Sequence, residues 1–270
     1  MRIDWSKALS EGLRFGFHPK RWLQLLVVDA VFVSVIISSI YLNLSDIVYI
    51  ISSMRTGADR FLVMSLLNYI LIPVFVFIVW FLVRIWMQGS IIYQGWKTKD
   101  SEIGKSWRFA CRKYPSLFLA ILIITLVSML VSVIPYMGWV LAIVVSWIFY
   151  FALQAVIIRN VGFYEGLEDS YKIFRKNPFE VIIIWLIVLI VNIVIFGIFA
   201  LPFAYLLLTN LFYLAQNTGI ASIILMFREQ VILFATSGLI LLMGISIATT
   251  FTLKAQVEFY LQLRKRFRIL

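Results

Sequence analysis

Cysteine and histidine are almost absent: the chain holds one of each, Cys111 and His18. No internal disulfide can form, and the redox compartment leaves no mark on the composition. A metal centre needs several such ligands, so the lone His18, beside Pro19, reads as a solvent or headgroup contact. No metal or cofactor is expected. Charge is scarce as well. Asp, Glu, Lys and Arg make up 14% of the chain, against roughly 25% in soluble domains. Phosphate-binding loops, zinc motifs and serine-nucleophile motifs are missing. One His and one Cys do not assemble a reactive constellation, so the expectation is a protein that is not an enzyme.

Apolar residues fill the space that charge leaves. The 270 residues are 63% hydrophobic, with mean hydropathy +0.99. A soluble domain is about 45–50% apolar, so the expected solvent is lipid. The net charge of +11 would suit nucleic acid if it were gathered on a solvated domain. No such domain is present, and a nucleic-acid partner is not expected. A cleavable signal peptide is not expected either. The first apolar run begins at Trp22, exceeds the usual length of such a signal and lacks a small-residue cleavage site.

About 20 apolar residues in a helix cross the hydrocarbon layer. Six runs qualify, near 22–42, 62–86, 115–134, 139–158, 179–201 and 231–253. They are continuously apolar, whereas strands of a membrane barrel would alternate. Helices also satisfy their own backbone in lipid. The expected fold is therefore all-α, one integral-membrane domain over 1–270. Five Lys and Arg precede the first span, seven lie from the end of span two, at Arg84, to span three, four between spans four and five, and five at the C-terminal end. Only Arg55, Arg60 and Arg228 fall on the other side. The positive-inside rule then places both termini in the cytoplasm, for a multi-pass protein of the cell membrane.

A device recurs three times. Ile103, Trp107, Cys111 and Tyr114 keep helical spacing, Lys105, Arg108 and Arg112 fall largely elsewhere, and Pro115 follows. Trp5, Leu9, Leu13 and Phe17 do the same before Pro19, and Phe163, Leu167, Tyr171 and Phe174 before Pro178. The centres read Gly12-Leu13-Arg14-Phe15, Ser106-Trp107-Arg108-Phe109 and Ser170-Tyr171-Lys172-Ile173. Small, large apolar, basic, apolar is the shared order. Helices with an aromatic and a basic face lie in the headgroup plane, and proline lets the chain turn into the next helix. The expectation is a threefold repeat of an interfacial cytoplasmic helix plus a hairpin of two spans, with units of about 3–90, 101–160 and 163–267. "IPYMGW", with Pro135 and Gly138, is the tight turn of the middle hairpin. The apolar outer loops 43–60 and 209–229 read as surface-lying or partly re-entrant helices.

Polar residues inside the apolar runs are the next candidates. Asp29 lies about seven residues past Trp22. A carboxylate costs about 2.5–3.5 kcal/mol at mid-depth on insertion scales. It reads either as a proton or cation site, or as one end of an ion pair with Arg84 or Lys254. Asn68, Gln154 and Asn192 suit hydrogen bonds between helices. Ala30, Ser34 and Ser38, with Gly244 and Ala248 and with Ser246 and Thr250, suit close helix packing. Pro73 and Pro202 are expected to kink or end their helices. Cys111 is expected to pack, and Glu165, Glu168 and Asp169 to balance charge on an exposed face.

The segment "GFYEGLEDSYKIFRKNP" resembles one found in prokaryotic six-span membrane proteins, themselves similar to the membrane domain attached to some bacterial glycerophosphodiester phosphodiesterases. Glu165, Ser170 followed by Tyr171, and Pro178 before the next span carry the likeness. It implies an all-helical membrane module and transfers no activity, because the soluble phosphodiesterase domain is missing. The expected role is that of a lipid-interacting or membrane-complex scaffold. Trp5, Arg14, Trp107, Arg108, Tyr171 and Lys172 would contact anionic membrane lipid or a membrane-protein partner. The competing role is a transporter or lipid-translocating protein, with a polar intramembrane site at Asp29, Arg84 and Asn192.

Overall fold

A computed structural model describes residues 3–43, 46, 60–97, 102–216 and 230–267. Its helices are α1 Trp5–Gly16, α2 Pro19–Leu42, α3 Arg60–Trp96, α4 Ile103–Ser132, α5 Gly138–Ile148, α6 Ala152–Ile158, α7 Phe163–Lys176, α8 Pro178–Gln216 and α9 Val231–Phe267. No strand occurs among the described residues. Among the described residues, six stretches are long and apolar enough to cross a membrane: Pro19–Ser39, Leu71–Trp96, Ile103–Ser132, Gly138–Ile158, Pro178–Asn210 and Val231–Arg266. Large apolar side chains stand exposed along them, among them Ile37, Phe75, Leu130, Phe179 and Ile232. Water would penalise such a surface and lipid does not.

The prolines behave differently from one another. The chain breaks at Phe17 and His18 ahead of Pro19, and at Asn177 ahead of Pro178. Pro115, expected to separate a short helix from the third span, lies inside the unbroken α4. A mid-helix proline costs about 3 kcal/mol through a lost hydrogen bond and a ring clash. One stripe of buried residues, Ser106, Ala110, Leu117 and Ala120, runs past Pro115 on both sides. A break would take half of that stripe out of contact. Pro73 and Pro202 likewise sit within α3 and α8 without ending them.

The fourth span breaks without proline. α5 ends at Ile148 and α6 begins at Ala152. Ser170 of α7 inserts there: its Oγ donates to the Ile148 carbonyl at 2.8 Å and accepts from the Phe151 N–H at 3.1 Å. A side chain inserted into the backbone ladder is a recognised cause of a helix kink. At the other end of this hairpin, the Gly138 N–H donates to the Ile134 carbonyl at 2.9 Å. A Cβ on Gly138 would run into the Ser132 backbone, so the turn requires glycine. Tyr136 takes φ 63° and is 95% exposed.

The chain forms two compact units. The first comprises residues 1–23, 84–195 and 246–270. Its core holds Phe15, Met87, Leu117, Phe151, Ile184, Phe251 and Tyr260. The second comprises residues 24–83 and 196–245. There Phe203 and Phe234 meet edge to face at 6.2 Å, and Phe199 packs directly on Gly244. Asn210 Nδ2 donates to Gln230 Oε1 at 2.9 Å. The stripe expected at Ala30, Ser34 and Ser38 is not a packing face: Ser34 and Ser38 are exposed, and α2 buries Leu25 and Asp29 instead. The expected helices within 43–60 and 209–229 fall largely outside the described residues, though α8 continues helical to Gln216.

Candidate functional site

The three recurring motifs adopt one pattern of exposure. Gly12, Ser106 and Ser170 are buried. The large apolar residues that follow them are outside: Leu13 is 36% exposed, Trp107 37% and Tyr171 45%. Arg14, Arg108 and Lys172 are exposed beside them. Helical geometry explains this, since successive residues turn about 100° and one inward residue sends its next two neighbours outward. The pairing of a large apolar group with a cation is thus presented three times.

The inner faces use small and polar residues. On α1 these are Ala8, Gly12 and Gly16 beside the apolar Phe15, on α4 Ser106 and Ala110, and on α7 Gly166, Asp169 and Ser170 beside the apolar Ile173. A Cβ on Gly16 would lie 2.9 Å from Phe251 Cβ and 3.1 Å from its backbone, so α1 touches α9 almost backbone to backbone. Gln262 of α9 grips the start of α1. Its Oε1 accepts from the Asp4 N–H at 2.8 Å, and its Nε2 donates to the Asp4 carbonyl at 3.2 Å. Asp4 also caps α1 by accepting from the Lys7 N–H at 2.9 Å. Trp5 is half-buried, its ring 5.4 Å from Phe259. Trp107 stacks at a tilt on Trp86, 5.2 Å between centroids.

Behind these faces lies a polar layer. Lys254 is 3% exposed. Its ammonium donates to Glu258 and to the Gly95 carbonyl, the latter at 2.8 Å, and lies 3.5 Å from Glu11 of α1. Phe15 places its ring 6.0 Å from that ammonium and 5.2 Å from the Arg21 guanidinium. Arg21 donates to Gln94 Oε1 at 2.8 Å. Gln94 Nε2 donates to Ser106 at 2.9 Å and Ser90 at 3.1 Å. Farther along, Asp169 pairs with Arg159 at 2.9 Å and accepts from the Tyr260 hydroxyl at 2.5 Å. Such groups are costly to bury singly and tolerable when they satisfy one another.

Several expectations change against this geometry. Asp169, expected on an exposed face, is 1% exposed because it belongs to the inward stripe of α7. Glu168 does balance Lys172, at 2.6 Å. Cys111, expected to pack, is exposed, since the packing stripe of α4 runs through Ala110. Lys113, one of the cations counted between spans two and three, donates to the Asn160 carbonyl at 2.8 Å, just beyond the end of α6. Asn192 is bonded to Thr252 at 2.7 Å, and Gln154 to Gln256 at 2.6 Å, as interhelical polar residues do. Asp29 is 1% exposed and accepts from Trp80 Nε1 at 2.8 Å within the second unit. Arg84 is half-buried on α3. The Asn68 side chain lies outside the described residues.

The polar layer could not be read from spacing. A serine or glycine facing inward and a cation facing outward look alike in sequence until the facing helix is known. The one available signal was the shared small residue at the head of each motif.

Fold and surface together define an all-helical, multi-pass membrane protein. Comparison with protein-family models, with characterised proteins and with solved structures finds no match.

Proposed function

We propose that the protein is a non-enzymatic membrane module that gathers anionic lipid and organises a membrane complex around it. In this reading α1, the start of α4, and α7 lie at the cytoplasmic face of the cell membrane, as the positive-inside bias favours. One observation carries the proposal: Leu13-Arg14, Trp107-Arg108 and Tyr171-Lys172 are presented outward by three helices whose small inner residues pack on the protein. An apolar or aromatic side chain inserts at the interface while the neighbouring cation meets phosphate. A membrane-protein partner with an acidic surface would use the same three pairs.

The test is lipid selection. The full chain and an Arg14→Gln/Arg108→Gln/Lys172→Gln variant are extracted from mixed phosphatidylcholine and phosphatidylglycerol membranes, and retained lipid is counted by native mass spectrometry. Each cation near the surface is worth about 1 kcal/mol, so the variant is expected to lose most of its phosphatidylglycerol enrichment. Equal enrichment in both proteins refutes lipid gathering at these pairs.

A further inference from the structure

The break in the fourth span carries polar groups that its own repair does not use. Ser170 satisfies the exposed backbone at Ile148 and Phe151. Asp169, Arg159 and Tyr260 satisfy one another. At the break itself, three further buried atoms have no hydrogen-bond partner among the described residues: Trp147 Nε1, the Tyr150 hydroxyl and Gln154 Oε1. Trp147 lies in the last turn of α5, Tyr150 within the break and Gln154 in the first turn of α6.

Gln154 is 1% exposed, and its Nε2 donates to Gln256 Oε1 at 2.6 Å. The Gln256 carboxamide also lies beside the Tyr150 hydroxyl. Turning the Gln154 amide over does not help. Its oxygen would face the Gln256 oxygen, and turning both amides reverses the bond and leaves the Gln154 nitrogen unpaired instead. A polar atom buried away from water without a partner is destabilising. The arrangement persists more easily if something else completes it.

The chemistry of the missing group follows from the atoms. Gln154 Oε1 needs a donor. Tyr150 O–H and Trp147 N–H need an acceptor. All three are neutral. A cation would find a single amide oxygen and no carboxylate in this set, and an anion would face that same oxygen. A hydroxyl both gives and takes one hydrogen bond and carries no charge. We infer that Tyr150, Gln154 and Gln256 form a site for a neutral hydroxyl group, supplied either by a water molecule or by an alcohol of a lipid headgroup. Buried waters commonly hold two to four such partners.

The test is a structure of the full chain at a resolution that shows ordered solvent, in two bilayers. One is pure phosphatidylcholine, which has no free hydroxyl, and the other contains phosphatidylglycerol. Compact density at hydrogen-bond distance from both the Tyr150 hydroxyl and Gln154 Oε1 in both bilayers identifies water. Elongated density only with phosphatidylglycerol identifies a lipid hydroxyl. No density in either bilayer, with the side chains in place, overturns the site. A second measurement is a thermal-unfolding cycle of Tyr150→Phe and Gln154→Leu, run in a Gln256→Leu background to remove the indirect path through that amide. A shared guest makes the double variant lose less than the sum of the singles. Additive losses overturn the inference.

Discussion

The ammonium of Lys254 on α9, nearly closed off from solvent, stands 3.5 Å from the carboxylate of Glu11 on α1. An amphipathic helix is thereby tied by charge to a membrane-spanning one. Glu258 completes the pairing one turn along α9, and the Gly95 carbonyl accepts a third bond. The lysine is tolerated where it is because it is satisfied on several sides.

Removing the lysine is expected to cost more than removing either acid. Lys254→Met leaves Glu11 and Glu258 facing each other without a cation, and breaking a buried pair costs about 3–5 kcal/mol. Glu11→Gln leaves Glu258 in place and should cost less, because Glu11 is partly solvated. Unfolding midpoints in detergent read the order. Limited proteolysis at Phe17 and His18 should increase in Lys254→Met as α1 loses its hold. Equal effects of the two substitutions would contradict this account.

Ser170→Ala should destabilise the first unit by about 1–3 kcal/mol, the cost of orphaning buried polar groups. The Phe151 N–H and the Ile148 carbonyl both lose their partner. Backbone hydrogen exchange at Phe151 should rise relative to that of neighbouring α6 amides. Exchange unchanged from the parent protein would show that the serine does not hold the break.

Two glycines give a matched comparison. Gly16→Ala forces a Cβ to 2.9 Å from Phe251 Cβ and against its backbone, so a loss of about 1–3 kcal/mol is expected. Gly104→Ala meets nothing within 4 Å in the first turn of α4. It should be neutral or stabilising by up to about 1 kcal/mol, through helix propensity. The sign difference in midpoint is the readout.

Asp29 separates a structural role from a transport role. Asp29→Asn keeps an oxygen for Trp80 Nε1, whereas Asp29→Leu removes it. The leucine variant is therefore expected to unfold at lower temperature than the asparagine one. If the carboxylate serves only the fold, Asp29→Asn in liposomes leaves any lipid or solute movement unchanged. Abolished movement in a well-folded Asp29→Asn protein would favour the transporter reading.

The class of fold was legible because lipid imposes a one-dimensional rule. A helix that crosses must be apolar along its length, and composition records that directly, as in residues 179–201. Gln154 and Asn192 were also readable as interhelical bonds, since few other uses exist at that depth. Asp169 and Cys111 were not. Their burial depends on which side of a helix meets the bundle, and neither spacing nor charge states that direction. Pro115 was misread for a related reason: a proline states its local preference, but not how much packing lies on either side of it.

By itself, the sequence determined that this chain lives in lipid as a set of helices and that it repeats a small, large, basic order three times. Those properties follow from side-chain transfer and helical period, which act residue by residue. The tertiary structure alone decided that Gly12, Ser106 and Ser170 face inward, that Ser170 mends the broken fourth span, and that Lys254 meets Glu11. Each of these depends on contact between segments far apart in the chain, and such contact is a property of packing that no local pattern encodes.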